Sequence, residues 1–394
     1  MISYDEALAA MLARTTVPES ETVPIAQAAG RVLAEPVIAA VDAPRADVSA
    51  MDGFAVRLAD TEGDEPLALI GEAAAGAPFA GEIGPGQAVR IFTGAHLPAG
   101  ADCVIMQEYA QVDETSVRFR PGFGPGRHIR QRAGDFARGD VILPAGTMLT
   151  PTALVALAGA DHAGIAVAMQ PRVAIIATGD ELVDPGSAAR SANGLPESGS
   201  FGVAAMAAQW GGDVVAKLRG RDALEELQQL AKQAVDRADL VVVIGGASVG
   251  QRDFAKPMFE RAGLDLVFSR IAIKPGKPVW FGGAAGAAVL GLPGNPGSAM
   301  VTARLFLAPL LRALQGGDGT AAVRFARLPL AASLPDNGSR ETFARAMLGP
   351  EGLVPVGNQE SGAQSPLAAS DWLVRRAPHA PAAAPGELVP ALPF

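Results

Sequence analysis

The chain has 394 residues, 49% of them hydrophobic and 19% charged, with 46 glycines and 31 prolines; that length exceeds what one core organises, and the composition is that of a turn-rich globular protein, not a disordered one. A formal net charge of -9 excludes a general nucleic-acid binder, because phosphate backbones are held by clustered Lys and Arg that push the balance the other way. The single cysteine, Cys103, excludes an intramolecular disulfide and a Cys-based zinc site.

At the start, MISYDEALAAML carries early acids and no basic flank before an apolar run, which is not how a secretory signal reads. No segment approaches the uninterrupted apolar length that crosses a bilayer, so a soluble cytoplasmic protein with no membrane partner is the expectation. Ser3 followed by Glu6 fits a capping box, and Ala7, Leu8, Met11 and Leu12 repeat at helical spacing, which predicts an amphipathic helix over residues 3–14. From Val23 to about Pro44, short apolar stretches alternate with Pro and Gly as in an extended linker. Residues 45–137 hold short β-type runs at 53–57, 88–92, 103–107 and 116–119, each bounded by turn residues, and predict a small β-rich domain. Thr150 and Pro151 supply the N-cap and first residue of a helix running to about Ala160.

From Pro171 the pattern changes, because unbroken apolar strands now alternate with helices. Strands are predicted at 172–178, 214–218, 240–244, 266–273 and 287–290, and helices at 202–210, 223–237 and onward from Ser298. That is a parallel sheet with helices on its faces, spanning 171–317. Beyond it, alternating runs at 322–328, 342–347 and 372–376 predict a small β-barrel or sandwich over 318–394. The final PHAPAAAPGELVPALPF is Pro and Ala rich and predicts no regular element.

In an open parallel sheet, ligands sit outside the carboxyl ends of the strands. Three loops there carry chemistry. The first, IIATGDEL, turns on Gly179 and sets Asp180 beside Glu181, two carboxylates able to hold Mg²⁺ or position a water; acids at this spacing equally serve to cap the next segment. The second, VVVIGGASVGQRDF, offers Gly245, Gly246, the hydroxyl of Ser248, Gly250 and then Asp253. Its glycines let backbone N–H groups approach an anion, and a flexible turn is the alternative. The third, VLGLPGNPGSAM, brackets Gly294 and Asn295 with Pro293 and Pro296 before Ser298 opens a helix, a stiff turn that leaves a helix N-terminus to meet an anion. Upstream, IAIKPGKPVWFG places Lys274 and Lys277 around a Pro-Gly turn, which suits an oxyanion or, failing that, a solvated surface. In the small β domain, VSAMDGFAV, IFTGAHLPAGADCVIMQE and IRQRAGDFARGD hold Asp52, Thr93 and Asp135, which on spacing alone are turn residues.

Several chemistries are excluded. Residues 245–250 are not followed by the Lys and Ser or Thr of a phosphate-binding Walker loop, and no G-x-G-x-x-G follows a strand. His96, His128, His162 and His379 are scattered, so a His-based zinc site and a Ser-His triad are both out. Carboxylates, hydroxyls, lysines and backbone N–H groups remain, an inventory for handling oxyanions with Mg²⁺.

Taken in order, GRVLAEPV, SAMDGFAV, FTGAHLPAGADCVIMQE, RQRAGD, PAGTMLTP, ATGDEL, GGASVGQRDF, AIKPGKP and LPGNPGSA cover nearly the whole chain, and the sequence resembles the molybdopterin molybdotransferases, the family of the bacterial MoeA proteins and the E domain of gephyrin. The resemblance implies a multidomain α/β plus β fold: a three-layer αβα molybdopterin-binding domain at 171–317, the β-rich domain, a C-terminal β-barrel, and an elongated dimerisation region made by 1–44 with 138–170. It implies a homodimer that cleaves adenylylated molybdopterin with Mg²⁺, releases AMP and inserts molybdate into the dithiolene. It places the enzyme beside the molybdopterin adenylyltransferase and the enzymes that receive the cofactor. Matched motif by motif, Asp52, Thr93 and Asp135 would reach the partner subunit's cleft; Glu181, Asp222 and Asp253 would act at the metal and the phosphoanhydride, with Asp180, Glu181 and Asp253 as metal ligands. Gly245, Gly246, Ser248 and Gly250 would hold the pterin phosphate, and Lys274, Lys277, Ser298, Arg345 and Ser361 would line the molybdate pocket, with Pro293 and Pro296 keeping their loop rigid.

The chain departs from the family pattern in two places. Glu197, Ser198 and Gly199 stand where an Asp-(Ser or Thr)-Asn element is usual, and Gly297 stands where a β-branched or small apolar residue is usual. A non-catalytic molybdopterin-binding or scaffold paralogue, or one that prefers tungstate, is the alternative these changes suggest.

Overall fold

The computed structural model describes residues 1–16, 19–246 and 254–394. The N-terminal helix forms over Tyr4–Leu12 with the expected capping box: Glu6 N–H donates to Ser3 Oγ at 3.2 Å, and Ser3 N–H donates to the Glu6 carboxylate at 2.8 Å. Its apolar face, Tyr4, Ala7 and Met11, is buried in the same core as the central sheet.

The linker is more ordered than its Pro and Gly content suggests. Ser20–Pro24 pairs antiparallel with Gly164–Ala168, and Val37–Ile38 with Val141–Leu143. The helix Pro151–Gly159 packs beside them, its Thr150 Oγ accepting from Ala153 N–H at 3.2 Å. In the β-rich region six strands run in the order Cys103–Met106, Gly53–Val56, Gln87–Ile91, Leu67–Ala73, Ser116–Phe119, Ala110–Val112. Leu67–Ala73 and Ala110–Val112 were not predicted.

The central sheet runs Asp213–Gly220, Arg172–Thr178, Leu240–Ile244, Ala287–Leu292, all parallel, and then adds Trp280–Ala284 and Asp265–Phe268 antiparallel. Alternate residues of one strand serve opposite faces: Val173 and Ile175 join the core on one side, Ala174 and Ile176 the core on the other. Burial on both faces is why these strands read as unbroken apolar runs. The single strand expected over 266–273 is two: Asp265–Phe268 edges this sheet, while Ile273–Lys274 leaves it to pair with Glu341–Thr342. Trp280–Ala284 was missed because its hairpin turns on Ala285 and Gly286, at φ 49° and 88°, a primed-type turn without the usual Asn-Gly signal.

The helix opened by Pro296 runs to Leu314, 19 residues of mean hydropathy 1.3. It is therefore long and apolar enough to span a bilayer, contrary to the reading of the sequence, but it is 78% buried inside the protein and serves as a core helix. Its middle, Ala303–Leu307, widens into a π-segment. Pro309 lacks the N–H that would answer the Leu305 carbonyl, and the Tyr4 hydroxyl faces that carbonyl at 3.5 Å instead.

The C-terminal sheet has the order Ile273–Lys274, Glu341–Gly349, Trp372–Arg376, Leu388–Pro393, Ala326–Pro329, with Gly352–Pro355 paired to Glu341–Gly349. Ala331 N–H donates to Leu353 O at 2.8 Å and draws the two ends together into a small barrel. The tail expected to be irregular thus supplies an inner strand. It is fastened by buried Arg304, whose Nε–H donates to Pro393 O at 2.7 Å and whose Nη1–H donates to Ala322 O at 2.9 Å; burial pushes that guanidinium down to a pKa of about 10.

Candidate active site

The three loops meet at the carboxyl edge of the parallel strands, around a cleft of about 790 Å³. Gly245 holds φ 100°, and a Cβ there would lie 2.7 Å from the Thr178 carbonyl oxygen; a Cβ on Gly294 would lie 3.3 Å from Gly245 Cα. Side chains at these positions would force the loops apart, so the glycines set how tightly the three strand ends converge. Thr178 itself is buried beneath this turn, its hydroxyl without a partner among the described residues.

The acids occupy one wall. Glu181 and Asp222 line the cleft. Asp180 does not; its Oδ1 accepts from Asp222 N–H at 3.1 Å and so ties the loop after Asp213–Gly220 to the loop after Arg172–Thr178. Ser248, Gly250 and Asp253 lie outside the described residues. Among the described residues no three potential ligands gather into a metal cage. An oxygen-only set of one or two carboxylates is nevertheless how Mg²⁺ is usually taken up, with waters and substrate phosphates completing its shell. The donor chemistry of Glu181, Asp222 and their neighbours fits that ion.

Glu197 also lines the cleft and is buried. Its carboxylate accepts from Ser200 N–H at 2.7 Å and from Ser200 Oγ–H at 2.5 Å, capping the helix Gly199–Gln209 in place of Ser198, which makes no capping bond of its own. Gly199 packs that helix closely on the sheet, since a Cβ there would stand 3.2 Å from Ile244 Cγ2. The unusual Glu-Ser-Gly element is thus accounted for as a capping and packing arrangement.

The opposite side of the cleft is bordered by Pro278, Asn295, Gly362 and Gln364, neighbours in sequence of Lys277, Ser298 and Ser361, while Lys274, Lys277, Ser298, Arg345 and Ser361 do not themselves line it. Lys274 and Lys277 are exposed on a turn that packs against the central helix, where a Cβ on Gly276 would lie 2.3 Å from Thr302 Cγ2. Thr302 Oγ1 donates to the carbonyl of buried Ser298 one turn earlier at 2.7 Å. Lys274 is also held from the other side, by the pairing of Ile273–Lys274 with Glu341–Thr342. Arg345 is buried, which pushes its guanidinium pKa down, and donates to the carbonyls of Asn358, Glu360 and Ala363 at 3.0, 2.9 and 3.1 Å. The loop it grips carries Ser361, whose Oγ accepts from Asn295 Nδ2–H at 2.8 Å and whose carbonyl accepts from Gly297 N–H at 2.8 Å. Ser298, Arg345 and Ser361 therefore come together, Pro293 and Pro296 border the cleft, and Gly362 and Gln364 complete its rim. The contact of Asn295 with Ser361 had no signal in residue spacing.

Asp52 and Thr93 also come together. Thr93 N–H and Oγ–H donate to Asp52 Oδ1 at 2.7 and 2.8 Å and hold that carboxyl below the usual carboxylate range. Asp135 is exposed on a separate loop, with its N–H donating to Ala43 O at 2.9 Å. None of the three lines the cleft of its own chain.

A second cavity, of about 900 Å³, lies at the amino ends of the same strands. Four of its five charged groups are paired, Arg172 with Asp239 at 2.8 Å and Arg14 with Asp265, leaving Glu19, and it holds none of the motif residues. Size alone would select it; the chemistry is in the smaller cleft.

Comparison with known proteins bears on the family and the fold. Residues 2–160 match the family model of the MoeA N-terminal region (domain I and II), 174–313 that of the "Probable molybdopterin binding domain", and 327–394 that of the MoeA C-terminal region (domain IV). The chain is 38% identical over 318 residues to a molybdopterin molybdenumtransferase of Haemophilus influenzae, covering 80% of this chain and 78% of that one. It is 30% identical over 385 residues to one of Staphylococcus aureus, covering 95% and 91%. Among solved structures, the molybdopterin biosynthesis moeA protein of Pyrococcus horikoshii superposes with a TM-score of 0.86 at 26% identity, covering 100% of both chains.

Proposed function

The chain belongs to the molybdopterin molybdenumtransferases, transferases of molybdenum cofactor synthesis, and from that premise we propose that its cleft takes adenylylated molybdopterin against the acid wall and molybdate against the opposite wall. One observation carries the reading: strand-end loops with Glu181, Asp222, Gly245 and Gly294 border one cleft of about 790 Å³, whose other side, at Pro278, Asn295 and Gly362, adjoins the turn of Lys277 and the loop of Ser361. Here the phosphoanhydride is cleaved, AMP leaves, and molybdate enters the dithiolene.

In this reading Gly245 and Gly246, with Ser248 and Gly250, present backbone N–H groups to the pterin phosphate. Glu181, Asp222 and Asp253 stand at the phosphoanhydride, with Asp180 holding the Asp222 backbone in place. Asp180, Glu181 and Asp253 are the side chains that would hold Mg²⁺, which when bound neutralises charge on the phosphate oxygens. Lys274 and Lys277 supply positive charge to molybdate, Ser298, Ser361 and Arg345 supply hydrogen-bond donors, and Pro293 and Pro296 keep the intervening turn stiff.

The reading includes a homodimer in which Asp52, Thr93 and Asp135 serve the partner's cleft. Exposed apolar side chains in the extended region support it: Ile38 and Val141 face each other across paired strands at 43% and 60% exposure, and Val155 on the adjoining helix is 73% exposed. It keeps the division into 1–44 with 138–170, 45–137, 171–317 and 318–394, which the separate sheets support. It places the protein in the cytoplasm, where a buried free thiol such as Cys103 is at home, between the adenylyltransferase that supplies its substrate and the enzymes that take its product. The Glu197-Ser198-Gly199 element no longer favours a non-catalytic scaffold, since it caps and packs a helix.

Purified protein incubated with adenylylated molybdopterin, Mg²⁺ and molybdate is expected to release AMP and yield active cofactor. AMP at background level refutes the reading.

A further inference from the structure

We infer that Gly297 determines the affinity of the oxyanion wall, by allowing the loop of the C-terminal barrel to seat directly on the turn that begins the central helix. The inference rests on the molybdate assignment above and goes beyond it by naming a residue that bears no functional group.

The loop is stiff before it docks. Three of the five guanidinium N–H groups of Arg345 hold main-chain carbonyls at 358, 360 and 363. Gln359 closes the same loop, accepting from Arg345 N–H at 3.0 Å and donating to Arg345 O at 2.8 Å and Val356 O at 3.0 Å. A loop tied internally in this way moves as a unit. It meets the central domain through Ser361, by the bonds from Gly297 N–H and Asn295 Nδ2–H, both at 2.8 Å.

At that seam there is no room for a side chain. A Cβ on residue 297 would stand 2.7 Å from the Ser361 carbonyl oxygen and 3.3 Å from Arg345 Nη1. The first neighbour is backbone, in a loop already fixed by Arg345, so relief comes only by withdrawal of the loop from the cleft. Withdrawal breaks both bonds to Ser361 and carries its hydroxyl away from the turn that begins the central helix. Arg345 uses one Nη1 proton on Ala363, and the bare α-carbon of Gly297 leaves the other side of that nitrogen uncrowded. The acid wall, built on Gly179–Glu181, Asp222 and Gly245, shares no bond with Ser361 among the described residues and stays as it is. Gly297 is thus a specificity-determining position whose substitution separates the two substrates.

The test uses the full-length protein, G297A, G297V and N295A, with molybdate-dependent AMP release, the Kd for adenylylated molybdopterin and thermal unfolding as readouts. Losing the two bonds to Ser361 is expected to raise the KM for molybdate about tenfold in G297A and further in G297V, with kcat at saturating molybdate and the nucleotide Kd both within about twofold of wild type. N295A removes one donor without adding bulk and is expected to raise the molybdate KM about threefold, which decides the matter if the G297 variants fail to fold. A molybdate KM unchanged in folded G297A or N295A, or a nucleotide Kd that weakens in parallel with it, overturns the inference. A wild-type protein without molybdate-dependent turnover instead refutes the functional reading; sodium molybdate titrated calorimetrically into wild type and G297A then tests the seating by itself, and equal affinities overturn it.

Discussion

The two walls of the cleft are built in opposite ways. The acid wall comes from the ends of neighbouring parallel strands, where Glu181, Asp222, Gly245 and Gly294 are placed by one sheet and Asp180 ties two of the loops together. The proposed oxyanion wall has no such common frame: Lys274 is held by pairing with the C-terminal barrel, Ser298 by the central helix, and Ser361 by a loop that Arg345 shapes from another strand. The first is a property of one element of fold. The second is a docking interface inside a single chain, and it is as sensitive to the seam between domains as to the residues that touch the ligand.

If that contrast is right, a change in the acid wall should cost chemistry without stability. Glu181→Gln is nearly isosteric and the side chain is exposed, so turnover should fall by at least about 10²-fold while the melting curve is unchanged; a parallel loss of stability would blur the distinction. Arg345→Ala should do both, because it empties a buried site and leaves three carbonyls without their donor as well as releasing the Ser361 loop. A loss of about 2–4 kcal/mol in chemical unfolding is expected, together with failure to saturate with molybdate. Retention of the nucleotide Kd in that variant would sharpen the separation of the walls.

Smaller effects bear on the elements that support each wall. Glu197→Ala removes the cap of Gly199–Gln209 and should cost about 1–2 kcal/mol, read by unfolding, with little change in molybdate KM. The smallest effect belongs to Asp52. Its carboxyl titrates below the ordinary Asp range because Thr93 donates to its ionised form, so the contribution to stability is present above the unfolded pKa and is lost as pH falls through the lowered folded value. Thr93→Val removes the hydroxyl donor and keeps the backbone one. The Asp52 midpoint, followed by NMR, should move part of the way back towards 3.8; an unmoved midpoint would show that the hydroxyl plays no part.

The same contrast explains what was legible in the sequence. Arg172–Thr178 and Leu240–Ile244 are found where their apolar runs place them, because burial on both faces removes any alternation. The acid wall follows from them, since strand ends and loops are local features. Trp280–Ala284 escaped notice behind two internal glycines and a turn on Ala285, and Leu388–Pro393 behind its prolines, which ordinarily argue against an inner strand. On the other side, Lys274, Lys277 and the helix start at Ser298 read as anion sites from their residues, but Arg345 and Ser361 were reachable only through family resemblance. No periodicity connects Asn295 with Ser361, 66 residues away, or shows that Gly297 is small because a carbonyl from another domain lies against it.

The claim that the two walls face a common ligand site is tested most directly by anomalous diffraction at the molybdenum edge, on crystals of the protein grown with sodium molybdate. A molybdenum peak bounded by Lys274, Lys277, Ser298 and Ser361, and lost in G297V, is the predicted result. A peak elsewhere on the molecule, or one that persists unchanged in G297V, would contradict the account.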